Sequence, residues 1–265
     1  MQDKIPSQIK INGLSIRFRE MGKGRPVFML HGWGGDITSW TALVEHLDLK
    51  SNHVFCLDMP GFGKSDDPGK PWKVEDYKSF FEAFVQKMYT QFKLKGSYNI
   101  ISHSFGGRVT IKLASEKGNK LNKIILIAAA GIRHPLSLKK RLFQKVAKCG
   151  TIICSMPILR IFKNSIRKIM YKLLRVHDYE RTSGVMKKTF VNVINEDLTR
   201  LLEHIKCSAL IVWGKNDTYV PVSDAHLMNK KIKNSKLKII EAGRHGIHRT
   251  HAKTLGTWIN KFLKD

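Results

Sequence analysis

The chain has 265 residues, of which 42% are hydrophobic and 26% are charged, a composition that fits a globular protein with one large core and excludes a disordered tail, a disulfide miniprotein or a collagen-like rod. Lys and Arg (47) exceed Asp and Glu (21) by 26, a balance that could attract nucleic acid, an anionic membrane or acidic substrates. Because the basic residues are spread through nearly every segment, compositional drift explains the charge equally well, and charge alone selects no partner.

The first thirty residues are predicted to form β structure. Gln8–Asn12 and Leu14–Glu20 are joined through Asn12-Gly13, a pair that favours the positive φ angles of a tight hairpin. After a glycine turn, Pro26–Leu30 is a short apolar run. The chain therefore opens with a hairpin followed by a buried strand.

From that strand onward, short apolar strands alternate with amphipathic helical windows. The further predicted strands are His53–Leu57, Tyr98–Ser102, Lys123–Ala128, Ala209–Trp213 and Leu237–Ile240. The predicted helices are Thr38–Leu47, Val74–Phe92, Phe105–Lys117, Ser223–Ile232 and His251–Leu263. This alternation predicts an α/β fold with a mostly parallel sheet covered by helices on both faces.

One long interval contains no convincing strand. Between residues 132 and 205 only helical windows occur, at Leu136–Cys149, Ile158–Val176 and Val185–Leu202. We therefore predict a core made of residues 1–131 and 206–265, with 132–205 as a helical cap inserted into it. From Lys117 to His177 the chain has fifteen Lys and Arg and no acidic residue, so this cap could also contact an anionic membrane. A cap helix that packs its apolar face on the protein's own core is the commoner case.

The N-terminus lacks the basic and then apolar pattern of a secretory signal, and the longest apolar stretch, Ile124–Ile132, is about half the length of a membrane-spanning helix. We expect a cytoplasmic protein. The four cysteines follow no metal-ligand spacing, which favours free thiols in a reducing compartment.

The strongest chemical signal is the segment Ser102-His103-Ser104-Phe105-Gly106-Gly107, between a predicted strand and a predicted helix. A serine with small residues two positions before and after it can occupy a strained turn that projects its hydroxyl. An ordinary glycine-rich turn is the alternative. Because serine needs a base and a carboxylate to become nucleophilic, Asp217 and His245 are the matching candidates. Each follows a predicted strand, and the order Ser, Asp, His suits this architecture.

Five motifs in sequence resemble the α/β-hydrolase superfamily, in its serine esterase and carbon–carbon hydrolase branch. They are His31-Gly32-Trp33-Gly34-Gly35, the turn Asp58-Met59-Pro60-Gly61-Phe62-Gly63-Lys64-Ser65, and the segments around Ser104, Asp217 and His245. The resemblance implies an α/β-hydrolase fold, an oxyanion hole from the backbone N–H groups of Trp33 and Phe105, and no cofactor or metal. It further implies that Asp58, Gly61 and Gly63 shape a structural turn.

The chain departs from the family pattern at two places. Ser102 stands where the family has glycine, and Thr250 and Ala252 replace an acidic residue and a proline after the histidine, which leaves His248 as a rival base. His245 is preferred because it follows the strand directly, and a metal site formed by 245, 248 and 251 is disfavoured by their spacing.

Other residues are candidates for the pocket. Arg108 is a candidate substrate contact, as a matching arginine is in relatives that act on anionic cyclohexadiene acids, although an exposed arginine is the simpler reading. Further candidates for the lining are Trp72, Arg133, His134 and Met156.

The sequence therefore favours a serine hydrolase that cleaves a small carboxylic ester. A hydrolase that splits a carbon–carbon bond in a dienoic keto acid is one alternative. An inactive hydrolase-fold protein that binds through its basic cap is another. A small-molecule substrate is expected, and nucleic acid is disfavoured because no recognised motif accompanies the charge.

Overall fold

The alternating pattern folds into one eight-stranded sheet. The computed structural model describes residues 6–116, 118, 120–134 and 184–265. The strands are β1 (Ser7–Ile11), β2 (Leu14–Gly22), β3 (Arg25–Leu30), β4 (Asn52–Leu57), β5 (Tyr98–His103), β6 (Leu121–Ile127), β7 (Ser208–Gly214) and β8 (Ser235–Ile240). Their order across the sheet is β1-β2-β4-β3-β5-β6-β7-β8. The two pairs that involve β2 are antiparallel and all others are parallel, which agrees with the predicted hairpin and the mostly parallel sheet.

Helices follow the parallel strands and cover the sheet. They are α1 (Thr41–Val44), α2 (Val74–Gln91), α3 (Phe105–Ala114), α4 (Gly184–Asn195), α5 (Val222–Lys231), α6 (Ile247–Thr250) and α7 (Ala252–Lys264), with 3-10 turns at Ile37–Trp40 and Thr199–His204.

Each central strand buries side chains on both faces, because alternate residues point to opposite sides. On β3, Phe28 and Leu30 join a core with α2, α3 and α5, whereas Val27 and Met29 join a second core with α1 and α7. This double burial explains why the central parallel strands are largely apolar runs.

Two helices differ from their predicted extent by more than one residue at an end. The window Thr38–Leu47 is a 3-10 turn followed by a single α-helical turn, because the Asp36 side chain accepts the Thr38 N–H at 2.8 Å and starts the tighter turn. Helix α3 ends at Ala114 rather than at 117, where the Ser115 hydroxyl donates to the Lys112 carbonyl at 2.8 Å.

Little of the predicted cap lies within the described residues. Its windows Leu136–Cys149 and Ile158–Val176 fall outside them, and Val185–Leu202 corresponds to α4 and the second 3-10 turn. The part of 132–205 that is described contains no strand. The domain boundaries stay predictions.

The topology brings four loops to one edge of the sheet. The loops after β3, β5, β7 and β8 follow the carboxyl ends of parallel strands, and these ends lie on the same side. Those loops contain Trp33, Ser104, Asp217 and His245, respectively.

Candidate active site

Ser104 lies on a sharp turn between β5 and α3. Its φ of 49° and ψ of −110° fall in a region that residues with a side chain rarely adopt, at a cost on the order of 1–3 kcal/mol. The turn is held by the Ser104 N–H, which donates to the Ile127 carbonyl at 3.1 Å, and by the Ala130 N–H, which donates to the Ser104 carbonyl at 2.9 Å. The strain is therefore imposed by β6 and the loop that follows it.

The small residues around Ser104 are required by close packing. A side chain at Gly106 would collide with the Leu30 carbonyl, and the Gly106 N–H donates to the His31 carbonyl at 3.1 Å. Ser102, which replaces the family's glycine, is fully buried and donates its hydroxyl to the Ile125 carbonyl at 3.3 Å. The Ser102 hydroxyl therefore has a hydrogen-bond acceptor, and the turn accommodates serine in place of glycine.

Asp217 and His245 are joined by a hydrogen bond. His245 Nδ1 lies 2.8 Å from Asp217 Oδ2, and Asp217 Oδ1 accepts the N–H groups of Tyr219 at 2.8 Å and Val220 at 3.0 Å. With the carboxylate as acceptor, the proton of the neutral imidazole is on Nδ1 and the lone pair is on Nε2. The Tyr219 ring stacks on His245 with centroids 5.1 Å apart.

The loops that carry this pair are also packed against each other. A side chain at Gly214 would collide with the Gly243 backbone, and the Asn216 N–H donates to the Gly243 carbonyl at 2.9 Å. The glycines that end β7 and follow β8 therefore set the distance between the Asp217 and His245 loops.

The rival histidine has a different environment. His248 is 2% exposed, and its ring lies 5.3 Å from the Trp40 ring and 4.1 Å from the His103 ring. Burial lowers its pKa to about 3. His103 Nε2–H donates to the His245 carbonyl at 3.0 Å, and burial lowers the pKa of His103 well below its usual range. The His103 ring therefore contacts both the His245 backbone and the His248 ring, and these contacts hold the His245 loop in place.

The loop after β3 packs closely against the turn that contains Ser104. A side chain at Gly32 would lie 2.7 Å from His103 Nδ1 and 3.3 Å from Ser104 Cβ. His31 Nδ1–H donates to the Gly32 carbonyl at 2.8 Å, and its Nε2 accepts the Met59 N–H at 2.9 Å. Burial lowers the pKa of His31, which favours the neutral ring that these bonds require. This loop places Trp33 in the lining of the cleft that also contains Ser104.

The turn after β4 has the structural role that the resemblance implied. Asp58 is buried and accepts the Ile37 N–H at 2.7 Å and the Lys64 N–H at 2.9 Å. Gly63 has a φ of 58°, and a side chain there would collide with the Asp58 carboxylate.

These residues surround a cleft of about 470 Å³, whose lining includes Trp33, Ser104, Phe105, Arg108 and His245. The structure thus brings every predicted site residue except Asp217 directly to the cleft, and Asp217 stands behind His245. Of the other lining candidates, His134 lines the cleft, Trp72 packs against Tyr77 in the core, Arg133 is exposed, and Met156 lies outside the described residues.

The reading of Arg108 as an exposed arginine is wrong. Arg108 is 6% exposed because α3 packs against the loop after α4, and it donates to the Glu196 carbonyl at 2.8 Å. Burial lowers its pKa to about 10, so the guanidinium stays charged at neutral pH. Among the described residues it forms no ion pair.

Two cleft residues were missed by the sequence analysis. Tyr219 covers His245, and Asp224 Oδ1 lies 2.6 Å from His134 Nε2. Burial raises the pKa of Asp224. Neither residue belongs to a recognisable motif, although Tyr219 lies two positions after Asp217.

The described part of the chain contains no group of three His, Cys, Asp or Glu side chains that could hold a metal ion. Nor does any helix within it have the length and apolar character needed to cross a membrane. The cytoplasmic location and the membrane contact of the basic cap stay predictions.

Comparison with protein families gives a match over most of the chain. A family model described as serine aminopeptidase, S33, matches residues 24–251. The AB hydrolase superfamily protein YisY of Bacillus subtilis is 23% identical and aligns over 94% of this chain and 95% of its own. The monoacylglycerol lipase ABHD6 of Rattus norvegicus is 25% identical over 85% of this chain and 72% of its own.

Solved structures give the same fold. A bromoperoxidase from Bacillus anthracis superposes with a TM-score of 0.74 at 23% identity, over 98% of this chain and 100% of its own. The esterase EaEST from Exiguobacterium antarcticum superposes with a TM-score of 0.72 at 22% identity, with the same coverage. These likenesses confirm the predicted fold class.

Proposed function

The chain belongs to the serine aminopeptidase S33 family of α/β hydrolases, and from that membership we propose that it cleaves a small carboxylic ester by acyl-enzyme chemistry. Ser104 is the nucleophile, His245 the general base and Asp217 the group that orients the imidazole. The single observation that carries the proposal is the 2.8 Å bond between Asp217 and His245 in a cleft that also holds the strained Ser104 turn.

The proposed reaction follows from these positions. The Ser104 hydroxyl attacks the ester carbonyl while His245 Nε2 takes its proton, and the resulting imidazolium is stabilised by Asp217. The backbone N–H groups of Trp33 and Phe105 bind the developing oxyanion. His245 then protonates the leaving alcohol, which leaves Ser104 acylated. A water molecule, deprotonated by His245, attacks the acyl carbonyl, the bond to Ser104 Oγ breaks with the proton returning from His245 to Oγ, and the acid is released.

The charges of the cleft favour an ester over a peptide with a free amino terminus. Within the described part of the chain, the Lys and Arg side chains that line it are Arg108 and Arg249, and the carboxylate of Asp224 is already bonded to His134. Among the described residues, no unpaired carboxylate is therefore offered to a substrate ammonium group. The lipase among the similar sequences supports the same choice.

Labelling with a fluorophosphonate, followed by mass spectrometry of the modified peptide, tests the proposal. We expect modification at Ser104, loss of labelling in Ser104→Ala, and a drop in ester turnover of about 10⁶-fold in that variant. Ser102→Gly is the matched control and should keep both labelling and activity. A folded protein that is labelled elsewhere, or not at all, would contradict the proposal and favour the binding protein with an inactive site.

A second candidate, cleavage of a carbon–carbon bond in a dienoic keto acid, is favoured by Arg108. We propose that this guanidinium contacts a substrate carboxylate, since only the Glu196 carbonyl bonds it among the described residues. Comparison of p-nitrophenyl butyrate with a 2-hydroxy-6-oxodienoate tests the choice. The second candidate requires faster dienoate cleavage, and it requires Arg108→Met to raise KM for the dienoate while sparing the uncharged ester.

A further inference from the structure

A second cavity of about 610 Å³ lies away from the catalytic cleft. It is bounded by β2 and β4 on one side and by the 3-10 turn and α1 on the other. It shares no lining residue with the cleft that holds Ser104. Its volume lies within the range of about 300–1,000 Å³ that small-molecule sites occupy.

Arg19 reaches this cavity from the inner face of the sheet. Side chains alternate along β2, so Arg17, Arg19 and Met21 share one face. Arg19 is paired in register with Cys56 of β4, whose thiol lies 3.5 Å from Met29 Sδ in the second core. The guanidinium stem therefore begins at a buried, apolar part of the sheet.

The charge of Arg19 is not balanced within the described part of the chain. Its Nε is buried and has no hydrogen-bond partner there, and Arg19 forms no ion pair with the described residues. Arg17, two positions earlier on the same face, lies 3.7 Å from the Asp58 carboxylate. A buried donor without an acceptor is unfavourable, and more so when it belongs to a charged group, so an acceptor from outside the chain would remove that cost.

The rest of the cavity is amphipathic. Its walls are apolar and include Met21, Ile37, Trp40, Val44, Leu47 and Leu49. Lys23, Lys50 and Glu45 stand at its exposed rim, so the side chains around Arg19 carry a positive balance. Trp40 is fully buried, and its Nε1–H also has no partner among the described residues. A ligand that fits has one anionic end and an apolar body.

We propose that this cavity binds a medium-chain fatty acid, with its carboxylate on Arg19 and its alkyl chain between the apolar walls. A carboxylate offers Arg a bidentate, charge-assisted acceptor, and the alkyl chain gains by leaving water. The proposal stands independently of the ester hydrolase proposal, because none of its residues touches the catalytic cleft.

Calorimetric titration of the full chain with decanoate tests the site. We expect saturable binding in the parent, about tenfold weaker binding in Arg19→Met, and unchanged binding in Arg25→Met, which removes the same charge from the exposed start of β3. The uncharged analogue decanol should bind the parent and Arg19→Met equally. Val44→Phe, which fills the cavity and keeps Arg19, should weaken both ligands and provides a test if Arg19→Met does not fold.

Three results would overturn the proposal. These are an absence of saturable binding at millimolar decanoate, equal decanoate affinity in the parent and Arg19→Met, and loss of binding in Arg108→Met with Arg19→Met unaffected. The last of these would assign the fatty acid to the catalytic cleft instead.

Discussion

Replacement of Asp217 by Asn tests the proposed chemistry more sharply than removal of the whole side chain. Oδ1 accepts the N–H groups of Tyr219 and Val220, and Oδ2 bonds His245 Nδ1. Asn has one oxygen that can accept and one NH₂ group that can only donate. The N–H groups of Tyr219 and Val220 both donate to this position, so the amide oxygen of the Asn takes the place of Oδ1. The NH₂ group must then take the place of Oδ2 and face His245.

The consequence is a histidine in the wrong tautomer. Nδ1 must accept a hydrogen bond from the amide, so the ring proton moves to Nε2, which can then no longer take a proton from Ser104. The same substitution in a serine protease lowers kcat by about 10⁴-fold, which corresponds to about 5.5 kcal/mol of transition-state stabilisation. We expect a loss of that size with the fold intact, because both backbone hydrogen bonds of Asp217 are kept.

The measurement is kcat for a p-nitrophenyl ester, together with the midpoint of urea unfolding. Asp224→Asn is the matched control, since Asp224 is a second buried carboxylate at the cleft that bonds a different histidine, His134. It should lower kcat by less than about tenfold, because Asp224 has no part in the proposed proton transfer. The reasoning is refuted if Asp217→Asn retains kcat within about tenfold of the parent, or if the two variants lose activity equally.

The remaining predictions concern the histidines and the serine turn. His245→Ala should lower turnover as severely as Ser104→Ala, by about 10⁶-fold, whereas His248→Ala should mainly lower the urea midpoint; the reverse pattern would make His248 the base. Burial lowers the pKa of His31, His103 and His248, so below pH 6.5 the unfolded chain binds protons that the folded protein does not. The free energy of unfolding should therefore fall with pH from 6.5 toward 3, by up to about 1.4 kcal/mol per pH unit for each ring, and His248→Phe should show a shallower slope in urea titrations at a series of pH values. Ser104→Gly should be about 1 kcal/mol more stable than Ser104→Ala, because glycine tolerates the φ of 49°; equal stability would mean that the turn is not strained.

The strands could be read closely from the sequence because local pattern and burial agree there. Each central parallel strand is a largely apolar run that is buried on both faces, whereas the edge strand β8 has exposed lysines and starts two residues before its predicted start. Tyr98–Ser102 was predicted and Tyr98–His103 is observed, for example. The same agreement predicts where Ser104, Asp217 and His245 lie, since each stands in the loop or turn after the end of a predicted strand.

The sequence did not predict features that depend on contacts between segments far apart in the chain. Arg108 is buried because residue 196, in the loop after α4, covers it, and nothing local to α3 encodes that contact. The second cavity depends on the distance between β2 and α1, which only the packed structure defines. The alternating pattern of β2 predicts that Arg19 shares a face with Arg17 and Met21. It does not predict which of the two faces of β2 packs against α1.

Solvent-exposed cations and cations that border a cavity have different energetic requirements in this structure. The basic residues behind the excess of 26 positive charges are spread through nearly every segment, and a solvated cation costs little to keep. A buried cation is different, because loss of water must be offset by a partner. Lys78 follows this rule, with Glu75, Glu82 and Glu116 all within 3.6 Å. Arg108 forms no direct ion pair with the described residues, although the charges of Glu196, Asp197 and Asp224 act on it from a distance. Arg19 is half-buried and also forms no ion pair with the described residues, and each of the two borders a cavity. The net charge alone therefore selects no ligand, whereas these two guanidinium groups give a specific reason to look for an anionic one.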